Sequence, residues 1–175
     1  MDAVTELAMT FPLMRGGGMF LVSIGAGIIV GGIGPRSWLT PSLIAGAALG
    51  VIIMAVGGAT KLSFAGLGTP PLYQWIVLGV AFLVEGYLVY LVSDRNTFGS
   101  REFWLWMLVV VAAHFLILTF SHGPLCGILA IVCLVNAVVG LRATSVDFQV
   151  FWTIDGVVKV LAGASMVALT YLAVN

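Results

Sequence analysis

The sequence predicts an all-α integral membrane protein, with six transmembrane helices in one compact bundle. Of its 175 residues, 61% are hydrophobic and only 8% are charged, whereas soluble domains carry about a quarter charged residues. So few charges cannot cover a water-facing surface. A membrane-spanning helix needs about 20 mostly apolar residues, and six segments of the chain meet that requirement.

Short turn-like segments separate the predicted spans, and residues 1–175 are expected to form a single transmembrane domain. The spans are Gly16–Ile33, Pro41–Thr60, Leu72–Val92, Glu102–Phe120, Pro124–Leu141 and Phe148–Val174. Pro41 and Pro124 fall at helix starts, where a missing N–H costs little. Spans four and five are joined by the turn SHGP, which predicts a tight antiparallel hairpin. The segment before the first span, which ends at Arg15, lacks the basic start of a signal peptide. It is expected to be a retained leader at the membrane interface.

The residues at the predicted span ends indicate an orientation in the membrane. Aromatic belts are expected from Trp38, Tyr73, Trp75, Trp104, Trp106 and Trp152. One side of the membrane would hold Arg36, Arg95, Arg101 and Arg142, and the other Arg15 and Lys61. The positive-inside rule then predicts a multi-pass protein of a prokaryotic plasma (inner) membrane, with both termini outside.

The first two spans carry glycine pairs at the G-x-x-x-G spacing. These pairs are Gly27 with Gly31 and Gly46 with Gly50. Small residues at this spacing allow helix backbones to approach closely. Two interpretations follow: span one packs on span two within the monomer, or the glycines form the face of a homo-oligomer.

Five polar residues fall inside the predicted spans, where lipid would make them costly. They are Glu85, His114, Asn136, Asp155 and Lys159. An unpaired charge at mid-helix costs ~2.5–3.5 kcal/mol on insertion scales, so such residues are expected to find partners. Asp155 precedes Lys159 by one helical turn, which is the better orientation for a helical ion pair.

The depths of these residues predict one polar cluster with two adjacent layers. At ~1.5 Å per residue, Glu85, Asn136 and Asp155 lie roughly 8–12 Å below one interface. His114 and Lys159 lie roughly 16–18 Å deep on the same measure. If their helix faces converge, the cluster is a site for protons, an ion, or a small polar or anionic ligand. The alternative is that these groups only fix helix packing.

Other classes of function find less support in the sequence. The seven Lys and Arg residues are scattered, which argues against nucleic-acid binding. His114 and His122 are expected to point in different directions, and no metal or cofactor site is predicted. Cys126 and Cys133 are about 10 Å apart along a helix, too far for a disulfide. A nucleophile among Ser121, His122 and Cys126 lacks an evident orienting acid, so an enzyme is not favoured.

The D-x-x-x-K pattern of Asp155 and Lys159 resembles the retinal-binding helix of microbial rhodopsins. That resemblance covers one helix and implies a Schiff base on Lys159 with Asp155 in its counter-ion. The chain is one span short of their seven helices, so this remains a minor alternative.

A broader resemblance covers roughly the C-terminal third. His122-Gly123-Pro124-Leu125, then Asn136-Ala137 with Gly140-Leu141, then Asp155-Gly156 with Lys159, is similar to an uncharacterised family of small bacterial six-helix membrane proteins. That resemblance implies a bacterial membrane and no particular activity. The hairpin layout is also similar in outline to small acid-resistance membrane proteins, by analogy of fold.

Two functional hypotheses follow from the sequence. The first is a small transporter, ion or proton conductor, or ligand sensor built on the polar cluster. The second is a non-catalytic membrane subunit, chaperone or immunity factor that acts through helix contacts.

Overall fold

The structure, a computed structural model, describes residues 2–55 and 64–174 and shows no strand within them. Its α-helices are α1 (Ala3–Thr10), α2 (Leu13–Ile33), α3 (Leu39–Ala55), α4 (Leu72–Arg95), α5 (Arg101–His122), α6 (Pro124–Arg142) and α7 (Phe148–Leu172). A single 3-10 turn, Arg36–Trp38, leads into α3. Six of these helices are long and apolar enough to cross a membrane, which confirms the predicted all-α six-span fold.

The predicted span ends agree with the helix ends to within three residues wherever both are described. The predicted end of the second span, Thr60, lies outside the described residues. The first span begins earlier than expected, since α2 already contains Arg15. The Arg15 side chain is fully buried. Its guanidinium donates to the carbonyl oxygens of Thr170 at 2.7 Å and Ala65 at 2.8 Å. These bonds to neighbouring segments accommodate the charge inside the bundle.

Local side chains fix where several helices start. Asp2 accepts a hydrogen bond from the Thr5 N–H, and Ser100 accepts one from the Phe103 N–H, at 2.8 and 3.1 Å. Such caps satisfy N–H groups that have no partner inside the helix. Gly123 joins α5 to α6 with a φ of 87°, a conformation that favours glycine. The tight hairpin predicted from SHGP is therefore present.

The six long helices form an open ring. In spatial order they run α3, α2, α7, α6, α5 and α4, each packed on the next, while α5 also touches α2 and α7. The two end helices α3 and α4 make no extensive contact with each other over the described residues. As far as residues 2–55 and 64–174 show, the ring is therefore open on the side between α3 and α4.

Glycines hold α2 against α7 in the most extensive helix contact of the described chain. A Cβ on Gly18 would lie 2.7 Å from the Gly163 carbonyl oxygen, and one on Gly25 would lie 2.8 Å from that of Gly156. Both distances are too short for real side chains, so these positions require glycine. The two helices are antiparallel, and their glycines recur at an interval of seven residues.

The glycines singled out by the G-x-x-x-G pattern lie between α2 and α3. A Cβ on Gly46 would be 3.1 Å from the Gly27 Cα, and one on Gly31 would be 3.1 Å from the Leu39 Cα. Gly50 packs in the same way against the Phe20 ring. These residues make the intramolecular contact that was one of their two interpretations.

The two chain ends meet on one side of the molecule. The amphipathic helix α1 packs on the end of α7, where the Thr5 hydroxyl lies 3.5 Å from the Ala173 carbonyl oxygen. Ala8 is completely buried in this contact region. The leader therefore folds against the bundle as a helix.

Candidate functional site

A partly open cavity of about 520 Å³ lies inside the ring of helices. Its walls come mainly from α2, α3, α4, α5 and α7, with Cys126 from α6, and are almost wholly apolar. Four of the five polar residues predicted to cluster line this cavity, namely Glu85, His114, Asp155 and Lys159. A cavity of this size with few polar groups is typical of a small-molecule site.

Asp155 and Lys159 form the ion pair expected from their spacing. The Lys159 Nζ contacts the Asp155 Oδ2, and both side chains are at least 98% buried. The ammonium also lies 5.5 Å from the centre of the Phe115 ring, within the range of a cation–π contact. The positive charge of Lys159 is therefore already compensated by Asp155 before any ligand enters.

Glu85 and His114 form a second pair, which joins α4 to α5. The Glu85 Oε2 lies 3.0 Å from the His114 Nδ1, with His114 buried and Glu85 a quarter exposed. The direction of the contact is unsuitable for a hydrogen bond, so the interaction is mainly electrostatic. The Phe82 ring lies 5.4 Å from the imidazole. The sequence analysis assigned Glu85 to the shallower polar layer and His114 to the deeper one, so this pair links the two predicted layers.

Asn136, the fifth predicted residue, is placed apart from the cavity. Its amide Nδ2 donates to the Phe151 carbonyl oxygen at 2.8 Å, and it does not line the cavity. The bond ties α6 to α7, which is a packing role. Depth alone could not separate Asn136 from the others, because depth does not specify which way a helix face turns.

His122 also lines the cavity, on the side where the chain termini meet. Its Nδ1 is 2.8 Å from the Ser121 Oγ, and its ring lies against Gly17. His114 and His122 therefore line the same cavity, although they were expected to point in different directions. Eight residues correspond to a rotation of only roughly 80° around a helix, so both rings reach one broad cavity.

Two tryptophans assigned to the aromatic belts are instead buried at the opposite end of the cavity. Trp104 and Trp152 are 5% and 2% exposed, and their rings pack edge to face with centroids 5.1 Å apart. Both residues lie near span ends as predicted, but their side chains point into the bundle and not towards the membrane interface. The other predicted belt residues, Trp38, Tyr73, Trp75 and Trp106, are between 43% and 51% exposed.

Three buried polar atoms of cavity-lining residues have no hydrogen-bond partner among the described residues. They are the Trp152 Nε1, the Asp155 Oδ1 and the His114 Nδ1. Buried polar atoms in native proteins nearly always have a partner. Within the described ranges no three His, Cys, Asp or Glu side chains gather as metal ligands, and both cysteines are free and buried.

Comparisons with known proteins place the whole chain in one family. No curated protein and no solved structure matches it. A family profile covers residues 5–172, far more than the C-terminal third in which the sequence resemblance was found. The chain belongs to this family, which is described as a family of unknown function (DUF6609).

Proposed function

We propose that this membrane protein binds a small molecule in the cavity between its helices, as a transporter or a ligand sensor. The single observation that carries the proposal is the cavity of about 520 Å³, whose lining includes the ionisable side chains of Glu85, His114, His122, Asp155 and Lys159. Such residues inside a membrane are costly and are usually retained for function. The proposed setting is a prokaryotic plasma membrane with both termini outside.

The size and lining of the cavity favour a molecule over a bare ion or a water-filled path. Small-molecule pockets are typically ≈300–1,000 Å³ and largely apolar, with a few polar groups that fix orientation. An ion would need a continuous set of polar ligands, whereas most of this wall is hydrocarbon. We therefore propose that the paired charges orient the bound ligand.

The alternative of a subunit that acts through helix surfaces has less support. The small faces of Gly27, Gly31, Gly46 and Gly50 are already occupied by contacts between α2 and α3. They are not available for a second chain without opening the bundle. We therefore place the function in the cavity.

A pair of matched substitutions on α5 tests the proposal. Leu108 lines the cavity and is 3% exposed, whereas Leu116 is 44% exposed and faces outward. We expect Leu108→Trp to fill the cavity and Leu116→Trp to leave it open, with both proteins still helical. The measurement is native mass spectrometry of small molecules that co-purify with each protein.

A co-purifying molecule in the wild type and Leu116→Trp, but not in Leu108→Trp, would support the proposal. Equal retention by both variants would contradict it. A purified protein that absorbs visible light would instead support the Schiff-base alternative at Lys159.

Proton exchange is a second candidate function, favoured by the 3.0 Å contact between Glu85 and His114. A carboxylate beside an imidazole is a common proton-transfer pair. The test is proton flux into dye-loaded vesicles, with Asp94→Asn as a matched acid-to-amide control on the same helix. Flux that is lost in Glu85→Gln and kept in Asp94→Asn is expected, and equal flux in both would contradict this role.

A further inference from the structure

Two partnerless polar atoms belong to cavity-lining residues that are three positions apart on α7. The Trp152 Nε1 is a donor and the Asp155 Oδ1 is an acceptor, and neither has a hydrogen-bond partner among the described residues. Both side chains line the cavity and are 2% and 0% exposed. Residues three apart on a helix are neighbours on its surface, so a single bound group can reach both.

The chemistry of these atoms limits what that group can be. A hydroxyl or a primary or secondary amide both donates and accepts hydrogen bonds, whereas a carboxylate only accepts. A carboxylate would satisfy Trp152 but would face the Asp155 carboxylate with a like charge. A quaternary ammonium could neither donate to Asp155 nor accept from Trp152.

The charges of the cavity also disfavour an anion. Lys159 is already paired with Asp155. The other cavity-lining cationic candidates are His114, which lies beside Glu85, and His122, which contacts Ser121. An anion would therefore enter without a free lysine or arginine along the described wall.

The opening of the cavity suggests where such a molecule comes from. Val51 of α3 is 56% exposed, and Phe82 and Trp75 of α4 are 55% and 45% exposed, yet all three line the cavity. Phe82 is ten residues into α4, roughly 15 Å along its axis and near the middle of a bilayer. An apolar rim at that depth opens towards the acyl chains.

We infer that the cavity takes an uncharged, largely apolar molecule with one hydroxyl or amide end, which enters from the bilayer between α3 and α4 and bonds to Trp152 and Asp155. This inference rests on the proposed function and specifies its ligand. The apolar body fills the cavity, and the polar end pairs the two atoms on α7. Of the ligands that the sequence left open, it favours a small polar one over an anionic one.

The test uses bromine quenching of tryptophan fluorescence in lipid nanodiscs. The chain has five tryptophans, and Trp38→Phe, Trp75→Phe and Trp106→Phe together leave Trp104 and Trp152 as reporters inside the cavity. The probes are 2-bromododecan-1-ol, 2-bromododecanoate at mildly alkaline pH, and 2-bromododecane, so that the bromine lies beside the end of the molecule that would reach the two reporters. Saturable quenching by the alcohol, at least about fivefold tighter than by the other two, is the expected result.

Trp152→Phe and Trp104→Phe are matched variants, because each removes one indole N–H from the cavity wall and leaves one reporter. Of these two indoles, only that of Trp152 has a buried N–H without a partner among the described residues. We expect Trp152→Phe to weaken binding of the alcohol about fivefold and Trp104→Phe to leave it unchanged.

The outcomes separate this inference from the proposed function. Saturable quenching that is equal for all three probes, or equal in both variants, would overturn the assigned polar end and leave binding in the cavity intact. Failure of every probe to quench saturably, together with equal co-purification in the Leu108→Trp and Leu116→Trp proteins, would overturn both.

Discussion

At the residue scale, the ion pair of Asp155 and Lys159 determines the charge of the cavity. Both groups are almost completely buried, and charges without water are stable only when paired. This pair leaves the α7 side of the cavity close to zero net charge. Glu85 and His114 lie on the α4 and α5 side.

The first prediction concerns this pair. Lys159→Met alone should lower the free energy of unfolding by about 3–5 kcal/mol, because it leaves a buried carboxylate unpaired. The double variant Asp155→Leu with Lys159→Met should recover most of that loss. The measurement is chemical unfolding in detergent, followed by helix content.

The exposed pair of Arg36 and Asp147 is the control, since its side chains are 67% and 48% exposed. Arg36→Gln should cost less than about 1 kcal/mol. A Lys159→Met protein as stable as the Arg36→Gln protein would contradict the assignment of a buried ion pair.

Asp147 gives a second prediction, because it caps the start of α7 through a 3.0 Å bond from the Gln149 N–H. That bond, with the nearby Arg36, holds the pKa of Asp147 below its usual value of 3.8. Asp147→Ala should cost about 1 kcal/mol at neutral pH. A carboxyl group whose pKa is lower in the folded than in the unfolded protein stabilises the fold at pH values above the unfolded pKa. This stabilisation is lost as the pH falls through the folded pKa. The difference from the wild type should therefore shrink below pH 3.8, and a constant difference would contradict the cap.

At the element scale, the contact of α2 with α7 is the structural centre of the bundle. A Cβ on Gly156 would be 2.9 Å from the Gly25 carbonyl oxygen, whereas one on Gly86 of α4 would meet nothing within 4 Å. We predict opposite effects for the same change. Gly156→Ala should destabilise the protein, and Gly86→Ala should be neutral or stabilising by up to about 1 kcal/mol. Thermal unfolding measures both, and equal shifts would contradict the close approach.

The sequence was sufficient for the helices but only partly for their contacts. Long apolar runs between turns specify spans, so the helix ends were predicted closely. The interval of four at Gly27 and Gly31 drew attention to α3, while the interval of seven at Gly18, Gly25 and Gly32 pointed to α7 and was missed. Which face of each helix turns towards the cavity depends on its neighbours, so depth alone could not predict that Asn136 bonds to α7 while Trp152 lines the cavity.

At the scale of the whole molecule, the open side of the helix ring is the feature that gives the cavity its access. Among the described residues, the end helices α3 and α4 each pack extensively on only one neighbouring long helix, so much of their described surface is free to face lipid. A closed ring of six helices would enclose the same side chains without a path from the bilayer. We therefore expect binding to depend on the opening between these two helices.

The proposed orientation gives a prediction for the intact protein. Thr69 and Thr97 are both exposed and lie in connections on opposite sides of the predicted membrane. A thiol reagent that cannot cross membranes should label Thr69→Cys in intact cells and should label Thr97→Cys only after lysis, since the native cysteines are buried. The reverse pattern would place the termini inside.

The most direct measurement is a crystal structure of the protein grown from a lipidic phase. We expect Glu85, His114, Asp155 and Lys159 to face one cavity, with non-protein density within hydrogen-bond distance of the Trp152 Nε1 and Asp155 Oδ1. A structure in which Glu85 and Lys159 point to opposite sides of the bundle, with packed apolar side chains between them, would contradict it.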